Sequence, residues 1–401
     1  MSHPTQAAIR PEQVVLPPGH LLARLPVIGA AVAVAGILLG FALRGSNARG
    51  FAFAWLNAFL FFLTLALGAM FFVLIQHATQ AGWSVAVRRL AEATASTVPL
   101  FALLFVPVLL GMGELFPWAQ PAAEHSPLLK WKAPYLNVQF FVIRAIVYFV
   151  VWSALALSYA RASRALDRGA GTGPALAMRR FASPAILLLG ITQTFASIDW
   201  AMSLSPTWYS TVFGVYFFAG AFVGFFGLLA LLAIPLERGP LHGILTVEHL
   251  HDVGKHLFAF TCFWAYIGFC QFFLIWYGNI PEETAFYNTR LQGGWSGISA
   301  FLGVGHFIIP FFYLMGRTVK RRPLLLAVGA VWILLMHLLD IAWLVLPGSH
   351  PEGLRIGLLE IAAYLGVGGT FLAGIGWNLR RQALVPIGDP RLRESLAFEV
   401  S

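Results

Sequence analysis

Asp199 and Asp340 each interrupt a long apolar run, in the stretches SIDWAMSL and HLLDIAWL. A carboxylate at lipid depth costs a few kcal/mol even on the mild insertion scale, so such an acid either does chemistry or pairs with a cation. His337 precedes Asp340 by one helical turn, close enough to share a proton with it. Glu360 falls near the same level in the following run and could join that pair. His306 sits about 12 Å deep in its own apolar run. Histidine relays protons near neutral pH, and acids do so where burial raises their pKa, whereas a lone membrane histidine more often packs and hydrogen-bonds. Arg144, in YLNVQFFVIRAIVYFVVW, falls about 14 Å from the start of its run at 1.5 Å per residue. An arginine there must face the protein interior and find an acceptor. It can hold a quinone oxygen, bias a carboxylate toward ionisation, or pair structurally with an acid.

A second cluster, EHLHDVGKH from Glu248 to His256, precedes the seventh apolar run. It lacks the H-E-x-x-H arrangement of a zinc site, and no other metal spacing is present. Asp252 and His256 could collect protons at a channel mouth; a subunit contact or a solvated helix start are the other readings. Cys262 and Cys270 lie in one run, with neither a haem-attachment nor an iron–sulfur pattern, so the chain is expected to carry no redox centre of its own. Tyr266, Cys270 and Tyr277 share a helix face and are read as packing residues.

The elements that must position these groups follow from composition. With 59% hydrophobic and 11% charged residues and a mean hydropathy of +0.76, the chain reads as an all-α polytopic membrane protein. Ten runs are long enough to span: 25–43, 52–75, 98–113, 135–158, 183–203, 211–234, 256–279, 298–316, 323–347 and 355–379. The third is short. No cleavable signal peptide is evident, so the first run is expected to be a retained span. The net charge of +9 arises from short loops, where topology explains it better than nucleic-acid binding. Nineteen of the 26 Lys and Arg residues fall on the side of the termini, which places both termini in the cytoplasm of a bacterial inner membrane.

Proline marks boundaries. Ser183-Pro184 reads as a helix start, Pro235, Pro323 and Pro347 as ends, and Pro107 and Pro310 as kinks inside spans. The loop 76–97 contains GWSVAVRRL, expected to lie as an amphipathic helix in the interface. The opposite loops, 114–134 and 280–295, are long and aromatic, suited to docking a peripheral subunit. Spans two to five and six to nine form a weak repeat, each set ending in a span with an Asp near its far end. The predicted organisation is a tail (1–24), a first span and loop (25–51), two side-by-side four-helix bundles (52–210 and 211–350), a last span (351–379) and a cytoplasmic tail (380–401).

Three segments, SIDWAMSLSPTWYSTVFGVYFFAG, YLNVQFFVIRAIVYF and HDVGKHLFAFTCFWAYIGFCQFFLIWYGNIPEET, resemble the second large, quinone-type integral membrane component of alternative complex III. That complex is a quinol:cytochrome c oxidoreductase, and the component is related to the membrane subunits of the polysulfide-reductase type. The resemblance spans residues 51–378. Asp199, Trp200 and Trp208 match its pattern, whereas Ser205 and Thr207 stand where relatives carry an acid and a histidine. The resemblance implies the two-bundle architecture, a sister membrane subunit of the same fold, an iron–sulfur subunit and haem c subunits, with lipid around them. It implies that quinol binds mainly in the sister subunit, leaving this chain a role in assembly, in proton conduction past Asp199, Arg144, His306, His337 and Asp340, or in a second quinone pocket. Two alternatives stay open: a membrane anchor of a polysulfide- or nitrite-reductase type complex, and a stand-alone secondary transporter. The transporter would need inverted repeats and broken helices, and no such breaks are read from the runs.

Overall fold

A computed structural model describes residues 11–45 and 47–399; the rest of the two predicted tails lies outside the described residues. The chain is 80% helical and, among the described residues, forms no strand. Among the described residues, ten helices are long and apolar enough to span a membrane: α1 Leu21–Arg44, α2 Ala48–Ala78, α3 Val85–Leu110, α4 Val138–Asp167, α5 Gly173–Leu204, α6 Phe213–Glu237, α7 Val247–Gly278, α8 Gly293–Met315, α9 Pro323–Gly348 and α10 Leu358–Arg380. The protein is therefore an all-α polytopic membrane protein.

α2 and α6 are apolar around their whole circumference and are buried on nearly all sides. Lipid accepts such a helix as readily as protein does, so close packing through small residues holds the two at the centre: a Cβ on Gly68 of α2 would lie 2.7 Å from Phe225 Cβ of α6. The two pack on each other, with α3 and α5 around α2, α4 against α3 and α5, α7 and α9 around α6, and α8 against α7 and α9. The last helix, α10, covers α2 and α3, and α1 lies along α10.

The α1–α10 contact is made through small residues. Gly29, Ala33 and Gly36 of α1 face Gly366, Gly369 and Ala373 of α10 so closely that a Cβ on Gly369 would lie 2.5 Å from the Ala33 nitrogen and 2.7 Å from the Gly29 carbonyl oxygen. In lipid, where no hydrophobic force joins helices, such close backbone approach supplies the dispersion contacts that do. Gly369→Leu is expected to cost about 1–3 kcal/mol through overpacking and to release α1 alone. Hydrogen exchange should show α1 amides losing protection while α2 and α6 keep theirs; unchanged α1 protection would refute this.

Several boundaries differ from the sequence expectations, each for a physical reason. α3 begins at Val85 rather than 98, and the segment expected to float in the interface, Val85–Ala95, is buried in every residue. Its arginines are neutralised from within: Arg88 Nη1 lies 2.8 Å from Asp389 Oδ2, and Arg89 Nη2 lies 2.7 Å from Asp167 Oδ2. Ser183-Pro184 falls inside α5, whose start carries its own proline at Pro174, and Pro235 falls in the last turns of α6. Pro323 does begin its helix. The helix axis is interrupted at Phe105, just before Pro107, and α8 winds through a π-turn over Gly303–Ile308, just before Pro310. Both interruptions fall beside the prolines read as kinks inside spans, so these two expectations hold.

Both described ends lie on one face, where the Leu384 amide donates to the Val14 carbonyl. The C-terminal segment continues across that face, its Ser395 Oγ donating to Trp83 O (2.9 Å) and accepting from the Ala86 amide (3.1 Å). His249, at the start of α7, meets Ser395 O at 3.1 Å. The EHLHDVGKH stretch is thus the buried first turns of α7, with His249 and Asp252 enclosed, and not a solvated start.

Candidate functional site

The two acids that interrupt α5 and α9 sit in opposite chemical settings. On α5, Asp199 is fully buried and held in a bidentate ion pair: Arg144 Nε donates to Oδ2 at 2.8 Å and Nη2 to Oδ1 at 2.9 Å. Tyr148 donates its hydroxyl to Oδ2 at 2.8 Å, and Arg144 Nη1 donates to the Tyr135 carbonyl at 3.0 Å. The guanidinium lies between the Tyr135 and Phe140 rings, 3.9 and 4.3 Å from their centroids. The arginine is shallower than counted from residue 135, because α4 starts at Val138 behind its Asn137 cap and the side chain turns back toward that start. Each guanidinium nitrogen and each carboxylate oxygen has a partner, so the arrangement is that of a structural ion pair.

On α9, Asp340 has no lysine or arginine paired with it among the described residues. The Tyr216 hydroxyl donates to Oδ1 and the Trp264 indole to Oδ2, the latter at 3.1 Å. His337 does not share a hydrogen bond with it: Nδ1 is 4.0 Å from Oδ2. Instead His337 Nε2 meets Thr64 Oγ1 of α2 at 2.8 Å, and that hydroxyl gives its own proton to Phe61 O at 2.6 Å. Thr64 can then only accept from the ring, which places the imidazole proton on Nε2 and leaves Nδ1 bare toward the carboxyl. Space for this arrangement comes from α6: a Cβ on Gly224 would lie 2.7 Å from His337 Cδ2, and one on Gly220 3.1 Å from His337 Cε1.

His306 completes the cluster through an aromatic rather than a polar contact. Its ring stacks on Trp264, centroids 3.8 Å apart, and neither ring nitrogen has a hydrogen-bond partner among the described residues. The π-turn of α8 that carries it frees the Gly305 carbonyl, which accepts from Trp332 at 2.6 Å. π-turns are frequent where a helix must aim a functional side chain.

Beside this cluster, between α7 and α8, lies a cavity of about 580 Å³. Its walls are mostly apolar, with Gln271, Ser299 and Tyr287 as polar points. Tyr216 and Trp264 line it too, so the same two side chains that bond Asp340 form the cavity wall. The helix Pro281–Leu291, in the loop between α7 and α8, closes one end. Its Tyr287 hydroxyl accepts from Gln271 Nε2 at 3.0 Å, and burial pushes that phenol up to about 12. Arg290 in the same helix donates to the Trp343 and Leu344 carbonyls near the end of α9, both at 2.9 Å, with the Phe286 ring 3.5 Å away. Burial pushes its guanidinium down to about 9, which leaves it charged at neutral pH and suited to a helix C-terminus.

The remaining sequence candidates lie elsewhere. Glu360 turns back onto its own helix start, accepting from the Gly357 amide at 2.8 Å, and serves as a cap instead of joining His337 and Asp340. Asp252 pairs with Lys255, and His256 meets the Asp252 carbonyl at 2.8 Å, on the face that holds the two described ends. Twelve residues of α7, about 18 Å, separate Asp252 from Trp264. His256 stacks on Phe226, which packs on Phe222 and Phe260, so the side chains that follow it inward are apolar. Tyr266 and Tyr277, read as packing, point outward at 63% and 78% exposure. Tyr216, Trp264, Thr64 and Gln271 escaped notice because a single hydroxyl, indole or amide in an apolar run is ordinary.

No group of three or more His, Cys, Asp or Glu able to hold a metal occurs among the described residues. A comparison with protein-family models finds none that matches this chain, and a comparison with curated proteins finds no relative.

Proposed function

We propose that this chain is an integral membrane subunit of a bacterial quinol-oxidising complex of the alternative complex III type, and that its second helix group, α6 to α9, offers a pocket for a quinone. The observation that supports this reading is the cavity between α7 and α8, whose wall residues Tyr216 and Trp264 are bonded on their inner side to the buried carboxyl of Asp340. A quinone needs a mostly apolar slot with a few polar points for its carbonyls, and a proton-exchanging group nearby. Gln271 and Ser299 supply polar points, and Asp340 is one side chain away. On this reading the chain binds no haem or iron–sulfur cluster itself; haem c and iron–sulfur subunits and a sister membrane subunit are its partners, in the bacterial inner membrane.

Two measurements test the proposal. Purified gently from its native membrane, the chain should comigrate with haem-staining subunits; a colourless single chain would refute the complex. A photoreactive quinone analogue should label α7 and α8, and Ala300→Trp, which fills the cavity, should reduce labelling by at least about tenfold. Equal labelling of the filled variant would refute the pocket.

A further inference from the structure

On the face that holds the two described ends, a separate cavity of about 320 Å³ opens between the end of α2, the starts of α3 and α5, and the C-terminal segment. Three side chains that line it are more than nine-tenths buried and carry polar atoms with no hydrogen-bond partner among the described residues. They are Gln76 Oε1, His77 Nε2 and Arg88 Nε, at 5%, 7% and 4% exposure. Buried polar groups left unmatched are uncommon, and three around one cavity offer a ligand its polar contacts.

The charges around the cavity give that ligand's sign. Arg88, Arg179 and Arg391 line it with a single carboxylate, Asp389. Asp389 binds Arg88 through Nη1 at 2.8 Å and leaves Nε free, while Arg391 is held by Glu394 at 2.7 Å. Arg179 has no ion-pair partner among the described residues. An uncompensated guanidinium, a bare Nε–H and a histidine nitrogen therefore converge on one space. That donor set suits a phosphate, whose several oxygens accept from different directions.

We infer that this cavity binds the phosphate group of an anionic ligand, with Arg179, Arg88 and His77 as donors and Gln76 Oε1 accepting from a free hydroxyl of the alcohol esterified to that phosphate. The wall at the start of α5 is apolar, formed by Ala175 and the exposed Leu176. That wall gives an acyl chain a path down the helix, as in basic pockets that hold lipid head groups between spans. An anionic phospholipid and free phosphate share the chemistry and differ in needing that wall.

The site connects four segments distant in sequence, so an occupant would also tie the C-terminal segment to the helix ends. Native mass spectrometry of the full chain in detergent, delipidated and then given phosphatidylglycerol, phosphatidylcholine or inorganic phosphate, tests it. Phosphatidylglycerol should be retained at least about tenfold more than phosphatidylcholine. Arg179→Gln, at the exposed rim where folding is not at stake, should remove that preference, and His77→Phe should weaken it. Binding of inorganic phosphate that the same variants abolish would support the site with free phosphate as its source. Equal retention of both lipids together with no phosphate binding would overturn the inference, as would a preference unchanged in both variants.

Discussion

Arg144→Leu is expected to destabilise the protein by about 3–5 kcal/mol, because it leaves the Asp199 carboxylate buried with only a tyrosine hydroxyl for company. Asp199→Leu should cost a similar amount by stranding the guanidinium instead. The double replacement should recover most of the loss. A buried ion pair and an apolar pair of similar volume differ little in net stability, since desolvating two charges offsets much of their attraction. The readout is reversible unfolding in mixed micelles, analysed as a double-mutant cycle. A single-variant cost below about 1 kcal/mol would mean the pair is solvated and exchangeable, and Asp199 would return as a candidate proton carrier. The geometry argues otherwise. Both guanidinium contacts are below 3 Å, the third nitrogen is satisfied by Tyr135 O, and two aromatic rings enclose the cation.

How much of this was legible in the sequence depends on where each charge finds its partner. The spans were legible because apolar length alone decides them. Arg144 was legible as a residue in need of an acceptor, since no arginine can stand alone in lipid. The start of α3 was not. Arg88 and Arg89 look like a surface stripe until Asp389 and Asp167, separated from them by 301 and 78 residues, are brought alongside. The start of α7 was hidden in the same way, because His249 is enclosed by the C-terminal segment. His337 and Asp340 were conspicuous as a pair one turn apart, yet their bonds go outward to three other helices. Side chains at that spacing share a face, but the donors offered by neighbouring helices decide which atoms meet. Spacing along a helix reveals which residues face one way; it does not reveal what they face.

The sharpest consequence is an asymmetry between two acids that look alike in sequence. Asp340→Asn is expected to fold with stability within about 1 kcal/mol of the parent, because each donor keeps a partner. The amide oxygen can accept from Trp264, and the amide nitrogen can face Tyr216, whose hydroxyl turns to accept. Asp199→Asn has no such escape, since one amide cannot replace a carboxylate for a bidentate guanidinium, and it should lose stability like Asp199→Leu. Function should reverse the order. If quinol is oxidised at the cavity between α7 and α8, Asp340→Asn removes the group that exchanges its protons, and turnover should fall about 100-fold or more, the usual worth of a positioned acid–base group. Full turnover in a well-folded Asp340→Asn complex would show that no quinol proton passes through Asp340, and would leave the second helix group a structural role. Loss of turnover with retained quinone labelling would place the defect in proton exchange and not in binding, because Asp340 lies behind the wall made by Tyr216 and Trp264 and is not itself part of the cavity lining.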